Sequence, residues 1–184
     1  TTIGSYAFAH CISLTDVTTL QNNVFTDCKS LESLYLPLAS EIGEYCFINN
    51  ESLTSIYLGC DELKTINKMG NNNASLNTLW IPSGVEAITE SFNSCAALEN
   101  IALHENLQTI GSRAFADSSI SSIYLPESLT DIAEDAFDGC SGLSASVVEG
   151  SYAHQWCEKN NVACTQTSAQ GKSQALRLFF MFAK

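Results

Sequence analysis

The side chains of this chain that are best suited to ligating a metal or attacking a substrate are its 8 cysteines and 3 histidines. Zinc sites and thiol redox centres commonly place two cysteines with two residues between them, and no Cys-x-x-Cys occurs here. His10, His104 and His154 fall at different positions of the repeat described below, so they cannot meet around one metal ion or nucleophile. The acidic residues show no calcium-loop spacing. We therefore predict no catalytic, metal-binding or cofactor-binding residue, and no enzyme activity.

Aromatic residues that recur about every 22 residues indicate a different function, namely the binding of another molecule at a surface. The aromatic positions are Tyr35, Tyr57, Trp80 and Tyr124, with Ala102 in the remaining place. Two residues before each stands a short polar side chain: Ser33, Ser55, Thr78, Asn100 and Ser122. Aromatic anchors beside hydroxyl and amide groups suit a peptide or a glycan, because an aromatic side chain loses little entropy on binding. The alternative is that Tyr and Trp are favourable strand residues whose rings shield the sheet.

The elements that carry these residues are copies of one phrase. It reads Ile-Gly-x-x-Ala-Phe-x-x-Cys-x-x-Leu-x-x-Ile-x-Leu-Pro and spans about 22 residues. Its phenylalanine falls at Phe8, Phe25, Phe47, Phe92, Phe115 and Phe137, with Met69 in the gap between the third and the fourth. A fixed period of this length indicates stacked coils, none of which can bury its apolar face alone.

Each coil should contain one strand and one turn. Segments such as Leu53–Leu58 alternate inward and outward, and Pro37, Pro82 and Pro126 end three of these strands. The phrase around each phenylalanine is long enough for a single helical turn. The predicted fold is thus an α/β repeat: a right-handed solenoid with one short parallel strand and a short helical turn in each coil of about 22 residues. In such a parallel ladder the aromatic residues stack about 4.8 Å apart on one face, beside the polar row.

Four cysteines share one position of the repeat, namely Cys11, Cys28, Cys95 and Cys140, and Asn50, Asn72 and Ser118 are assigned to it in other coils. A position that accepts Cys, Asn or Ser is a small, half-polar packing site, so we predict that these thiols are buried and free. Cys46 should lie in the core for the same reason.

Two further patterns leave alternatives open. Cys157 and Cys164 flank the end of a predicted helix, and the sequence does not decide whether they pair. The triplets Asn50-Glu51-Ser52 and Asn73-Ala74-Ser75 fit an N-glycosylation acceptor, which has meaning only for a eukaryotic source.

The chain divides into three parts. Residues 1–148 form the solenoid of about seven coils, which we expect to be truncated at its N-terminal end because Ile3-Gly4 is already the middle of the phrase. Residues 149–164 form a capping helix and strand, with Ser151 as the N-cap and Asn160–Asn161 as the stop. Tyr152, Ala153, Trp156 and Cys157 should line the packed face of this helix. Residues 165–184 are a linker-like or disordered tail. The open N-terminal end predicts fast hydrogen exchange in residues 1–30, or self-association of two chains.

Charge narrows the choice of partners. Lys+Arg number 8 against Asp+Glu 20, a formal net charge of -12. A nucleic-acid surface and adhesion to anionic lipid both need basic residues, so neither is expected. No apolar segment reaches the roughly 20 residues of a membrane helix. The acidity suits a basic patch on a partner.

The repeated phrase resembles that of the BspA-like leucine-rich repeat proteins, most closely over residues 112–126 and 134–140, and residues 150–161 resemble the closing element of bacterial members. The resemblance implies a protein at the surface of, or secreted by, gut or oral bacteria or some parasitic protists. Several members of the family are adhesins for host matrix proteins. It implies no catalytic residue and no cofactor.

The leading interpretation is therefore a non-enzymatic, adhesin-like recognition module of a surface or secreted protein. It would bind a protein, such as one of the host extracellular matrix, or a glycan through the strand face. The alternatives are a structural spacer that displays another domain, and a targeting module attached to a hydrolase.

Overall fold

The computed structural model describes residues 16–99 and 101–167, which wind into a solenoid of stacked coils. The elements in chain order are β1 (Thr19–Leu20), β2 (Ser33–Leu36), β3 (Glu41–Ile42), β4 (Ser55–Leu58), β5 (Thr65–Asn67), β6 (Thr78–Trp80), β7 (Ala87–Thr89), β8 (Thr109–Ile110), β9 (Ser122–Tyr124), β10 (Asp131–Ile132), β11 (Ser144–Val147), α1 (Tyr152–Lys159) and β12 (Ala163–Gln166). The predicted solenoid of parallel strands is confirmed.

The strands lie on two sides of the coils, and every pair is parallel. One side, which we call the strand face, consists of the sheets β2-β4-β6 and β9-β11-β12. The second side consists of β1-β3 and β5-β7-β8-β10. The strands of this second side were not predicted as such, because each is only two or three residues long. In the fifth coil residues 101–104 form no strand, which separates the two sheets of the strand face.

A turn follows each strand of the second side, but the predicted helical turn there is wrong. Two residues four apart have a left-handed backbone in successive coils: Asn23 and Asp27, Tyr45 and Asn49, Lys68 and Asn72, Glu90 and Ser94, and Arg113 and Asp117. Left-handed residues cannot continue a right-handed helix. Asn and Asp recur at these positions because their short polar side chains tolerate this conformation.

Phenylalanine rings form a buried column between the two sides. The ring centroids of Phe25 and Phe47 are 5.8 Å apart, and Phe115 lies 6.0 Å from Phe92 and 5.6 Å from Phe137. Four of these five rings are fully buried, and Phe137 is nearly so. Burial of such rings is the main source of stability in each coil.

The predicted place of Met69 in this column is wrong by one residue. The amide of each phenylalanine donates to the carbonyl of the residue that precedes the next phenylalanine, as Phe25 does to Cys46, and the amide of Phe47 donates to Met69. Gly70 therefore occupies the phenylalanine position. A Cβ on Gly70 would lie only 2.8 Å from the ring of Phe92, so Phe92 fills the space that a side chain at residue 70 would take. Met69 is buried in the position that Cys46 has in its own coil.

The helix α1 packs against the last coils. Ser151 is its N-cap, accepting a hydrogen bond from the amide of His154 at 3.2 Å, and Asn160 is its C-cap, as predicted. The ring of Trp156 meets Phe137 edge-on at 5.9 Å and so continues the phenylalanine column. Tyr152 is 40% exposed, which corrects its predicted place on the packed face. The division into parts at residues 148 and 164 stays a prediction.

Candidate functional site

The aromatic residues of the first three strands of the strand face stand in line. Tyr35 aligns with Tyr57, and Tyr57 aligns with Trp80, in the register of β2, β4 and β6. The ring centroids of Tyr35 and Tyr57 are 4.7 Å apart at 22°, and those of Tyr57 and Trp80 are 5.7 Å apart at 20°. Within each strand, the residue that precedes the aromatic one, such as Leu34 or Ile56, points inward and is buried. We call these three side chains the aromatic row.

Stacking determines which parts of the row face solvent. Tyr35 is 40% exposed, whereas Tyr57 and Trp80 are half-buried. Because each ring lies nearly parallel to the next, the rings cover one another's faces and turn their edges outward. The ring of Tyr57 leans toward the end of its strand, since a Cβ on Gly59 would lie 2.7 Å from Tyr57 Cε1.

Tyr124 was predicted to belong to this exposed row, and that prediction is wrong. It is only 8% exposed, and its hydroxyl donates to Glu105 Oε1 at 2.5 Å. Its partner in β11 is Ser146, and Ala102 holds the equivalent position of the preceding coil. These neighbours are too small to stack with the ring, which is buried instead. Burial, followed by the effect of Glu105, raises the pKa of Tyr124.

The polar row lies beside the aromatic row, in the same register. Ser33, Ser55 and Thr78 align across β2, β4 and β6, and Ser122 aligns with Ser144 of β11. Ser33 and Ser55 are half-buried, whereas Thr78 and Ser122 are exposed. The hydroxyl of Thr78 donates to Asn77 Oδ1 at 2.9 Å. Asn100 lies outside the described residues.

Acidic residues form a further feature of this surface, which the sequence analysis did not identify. The two-residue turns that follow the strands open, 22 residues apart, with Asp61, Ser83, Glu105, Glu127 and Glu149. All four carboxylates are exposed, and we call them the acidic edge. The regular spacing was visible in the sequence, but only the position of the turns places these side chains along one line.

A polar groove of about 360 Å³ adjoins this edge, with Glu105 in its wall. It crosses neighbouring coils, because Lys64, Glu86, Gln108 and Thr130 line it at intervals of 22 residues. Lys64 Nζ lies 3.7 Å from Glu86 Oε1, so the positive charge within the groove is paired. Glu105 provides the remaining charge.

The thiols are placed largely as predicted. Cys28, Cys46 and Cys95 are buried, Cys140 is half-buried rather than buried, and Cys11 lies outside the described residues. Burial raises the pKa of Cys95 to about 12 and that of Cys157 to about 11. Cys157 and Cys164 are both free.

The amide in the shared cysteine position belongs to Asn73, which corrects the predicted Asn72. Asn73 Oδ1 accepts from the amide of Asn50 at 2.8 Å, and its Nδ2 donates to the carbonyls of Phe47 and Gly70 at 2.7 and 2.8 Å. Asn50 and Asn73 are both fully buried. Neither glycosylation triplet therefore presents its asparagine to solvent in the folded chain.

The described histidines and acids form no metal site. His104 bonds to the carbonyl of Ile81, whereas the amide of Gly150 donates to His154, and the two lie far apart along the stack. Within residues 16–99 and 101–167, no three His, Cys, Asp or Glu side chains are grouped so as to hold a metal ion. In the same part of the chain, no helix is long and apolar enough to cross a membrane.

The repeat matches a family model described as BspA type leucine rich repeat region, in 6 copies over residues 18–144. That match covers more than half of the chain. The chain belongs to the BspA-type leucine-rich repeat family. Repeat modules of this fold are typically non-catalytic. No curated protein sequence matches the chain.

Two solved structures of bacterial leucine-rich repeat proteins are similar in fold. A leucine-rich repeat protein from Bacteroides ovatus ATCC 8483 superposes with a TM-score of 0.67 at 24% identity, over 85% of this chain and 42% of that one. A leucine rich cell surface protein from Faecalibacterium prausnitzii A2-165 gives a TM-score of 0.51 at 22% identity, over 71% of this chain and 43% of that one. At these identities the likeness concerns the fold alone. The BspA-type chain spans about two fifths of the length of each.

Proposed function

We propose that this BspA-type chain is a non-enzymatic recognition module of a surface or secreted protein, and that it binds a protein partner through the aromatic row. The observation that carries the proposal is the stack of Tyr35, Tyr57 and Trp80 on the outer side of a sheet whose inner side is fully buried. The phenylalanine column and the buried leucine and isoleucine side chains around it already hold the coils together. The aromatic row is therefore a surface feature that packing of the core does not require.

The geometry of the row favours a protein over a glycan. A sugar ring packs against the face of an aromatic side chain, and in this row four of the six ring faces are turned toward a neighbouring ring: both faces of Tyr57 and one each of Tyr35 and Trp80. What remains accessible is a ridge of ring edges and tyrosine hydroxyls, beside the hydroxyls of Ser55 and Thr78. Such a ridge offers apolar contact and hydrogen bonds to an extended peptide, which is the combination that rigid aromatic anchors supply at protein interfaces.

A location at the cell surface or outside the cell belongs to the same proposal. It is supported by the family and by the similar protein from Faecalibacterium prausnitzii, whose name describes a cell surface protein. The adhesin-like role for host matrix proteins follows from the family resemblance.

The test is a selection that does not assume where a ligand binds. Random 12-residue peptides on phage and a glycan array are screened against the wild-type chain, against Tyr57→Ser/Trp80→Ser, and against Tyr45→Ser/Tyr152→Ser. The last variant removes two exposed aromatic rings outside the row and is the matched control. We expect peptides that bind the wild type and the control and lose binding to the row variant, as is usual when aromatic anchors are removed.

Peptides that bind the row variant as tightly as the wild type would place the binding surface elsewhere. Enrichment on the glycan array that depends on Tyr57 and Trp80 would keep the surface but make its ligand a glycan. Circular dichroism checks that the variants are folded.

A further inference from the structure

The charges around the aromatic row are almost all of one sign. All 20 acidic residues lie in the part of the chain that the structure describes, against five of the 8 lysines and arginines. Each of these five basic side chains lies within 4 Å of a carboxylate: Lys29 with Glu51, Lys64 with Glu86, Lys68 with Glu44, Arg113 with Asp117, and Lys159 with Glu134. None of them lies in a strand of the strand face or in the turn that opens at the acidic edge.

The acidic edge is close to the aromatic side chains. Glu105 accepts the hydroxyl of Tyr124, which is buried outside the row, and Asp61 lies two residues after Gly59, toward which the ring of Tyr57 leans. Neither the Asp61 nor the Glu105 carboxylate takes part in the five ion pairs. The carboxylate of Asp61 accepts the hydroxyl of Ser83 at 2.8 Å, and its backbone carbonyl accepts from Lys64 Nζ at 3.4 Å. On the other flank, Glu32 precedes β2 and Glu99 precedes the strandless residues 101–104, and both are exposed. A partner that lies on the row therefore has carboxylates on both sides.

We propose, on the basis of the function proposed above, that the partner is an extended protein segment whose lysine or arginine side chains lie against the acidic edge while its apolar side chains cover the aromatic row. Parallel coils present carboxylates along one line at ~4.8 Å per coil, and an extended chain presents alternate side chains along one line at ~6.7 Å. The long, flexible side chains of lysine and arginine can bridge this difference. A long basic side chain can pass over Glu105 into the polar groove, where the amide oxygens of Asn106 and Gln108 are further acceptors and Glu86 is already paired with Lys64.

An acidic or neutral partner is disfavoured by the same charges. An acidic segment would meet mostly like charge beside the row, because Lys64, which lies near Asp61, is already paired with Glu86. Like charge at an interface suppresses a wrong partner. A neutral segment would cover Asp61 and Glu105 without replacing the water they lose.

The first test uses the peptides that depend on the row in the selection described above. We expect lysine and arginine to be enriched in them relative to the unselected library. Row-dependent peptides without that enrichment would overturn the charge inference and leave the proposed function standing. Selection of no row-dependent peptide at all would overturn the proposed function and this inference with it.

The second test measures the affinity of one enriched peptide, made synthetically, for two variants of equal charge. Asp61→Asn/Glu105→Gln removes two carboxylates beside the row, whereas Glu41→Gln/Asp131→Asn removes two exposed carboxylates on the second side. We expect the first variant to bind roughly tenfold more weakly and with a shallower dependence on salt, and the second to bind like the wild type. Equal affinities for the two variants would show that only net charge matters and would overturn the proposal.

Discussion

Replacing Asn73 by Ala tests the buried repeat position that the cysteines share more sharply than any other single change. The amide of Asn73 makes three hydrogen bonds, to the Asn50 amide and to the carbonyls of Phe47 and Gly70, at 2.8, 2.7 and 2.8 Å. All are buried, so alanine leaves the Asn50 amide and the Phe47 carbonyl without partners, whereas the Gly70 carbonyl still accepts from the thiol of Cys95 at 3.3 Å. Each orphaned group costs about 1–3 kcal/mol. With partial relaxation, we expect a loss of roughly 3–5 kcal/mol in the free energy of unfolding.

Asn50 provides a matched control, because it has the same residue type, the same position in its coil and the same burial. Its Oδ1 and Nδ2 have no hydrogen-bond partner among the described residues. Asn50→Ala therefore removes the same volume without breaking side-chain hydrogen bonds. The difference between the two variants, about 3 kcal/mol, isolates the hydrogen bonds of Asn73.

The assay is urea unfolding at equilibrium, followed by circular dichroism and by tryptophan fluorescence. Agreement of the two signals is required, because stacked coils can unfold in stages. Equal losses for Asn50→Ala and Asn73→Ala would refute the reasoning, since the cost would then come from volume alone. Asn72→Gly keeps the left-handed backbone of an exposed residue, so it should change the free energy of unfolding by less than about 0.5 kcal/mol. A larger loss would show that Asn72, rather than Asn73, holds the position that the cysteines share.

Three further predictions concern titratable groups. In the native protein, Cys28 and Cys95 should react with a thiol reagent at pH 8 far more slowly than half-buried Cys60 and Cys164. The reason is that Cys28 and Cys95 are buried and that the pKa of Cys95 is raised to about 12. Equal rates would contradict the burial of these two thiols. The raised pKa of Tyr124 means that the folded state holds this proton more tightly than the unfolded one. The contribution of the Tyr124 hydroxyl to the free energy of unfolding is therefore complete below pH 10 and is lost at higher pH. Tyr124→Phe should remove the late phase of tyrosine ionisation in an ultraviolet titration. An unchanged curve would contradict the burial of this hydroxyl. The hydrogen bond from Lys159 lowers the pKa of Glu134 from its ordinary value, so the contact of α1 with the preceding coil should weaken as pH falls through the acidic range. An NMR titration of Glu134 in Lys159→Gln should show the pKa rising, and no change would contradict the ion pair.

The period of the sequence predicted the fold well, because a repeated apolar residue must face the same core in each coil. The aromatic row was predictable for the same reason: Tyr35, Tyr57 and Trp80 follow the period of their strands. The error at Met69 arose because residue type suggested that an apolar side chain replaces phenylalanine. The backbone hydrogen bonds show instead that the position is held by Gly70, whose missing side chain makes room for Phe92.

What the sequence could not predict depends on neighbours rather than on the residue itself. Tyr124 has the same place in its strand as Tyr57, yet it is buried because Ala102 and Ser146 beside it are small and Glu105 lies within reach of its hydroxyl. The acidic edge is likewise a property of the stack, since Glu105 and Glu127 stand in line only once the turns after the strands are aligned. The helical turn was mispredicted because the phrase around phenylalanine is short, and periodicity in so short a segment does not distinguish a helical turn from a pair of left-handed residues.

The most direct measurement of the central claim is hydroxyl-radical footprinting of the aromatic side chains with and without a row-dependent peptide. If the strand face recognises a protein segment, oxidation of Tyr35, Tyr57 and Trp80 should fall in the complex, while oxidation of Tyr45 and Tyr152 stays unchanged. Protection of Tyr45 or Tyr152 with no change in the row would contradict the claim that this face is the recognition surface.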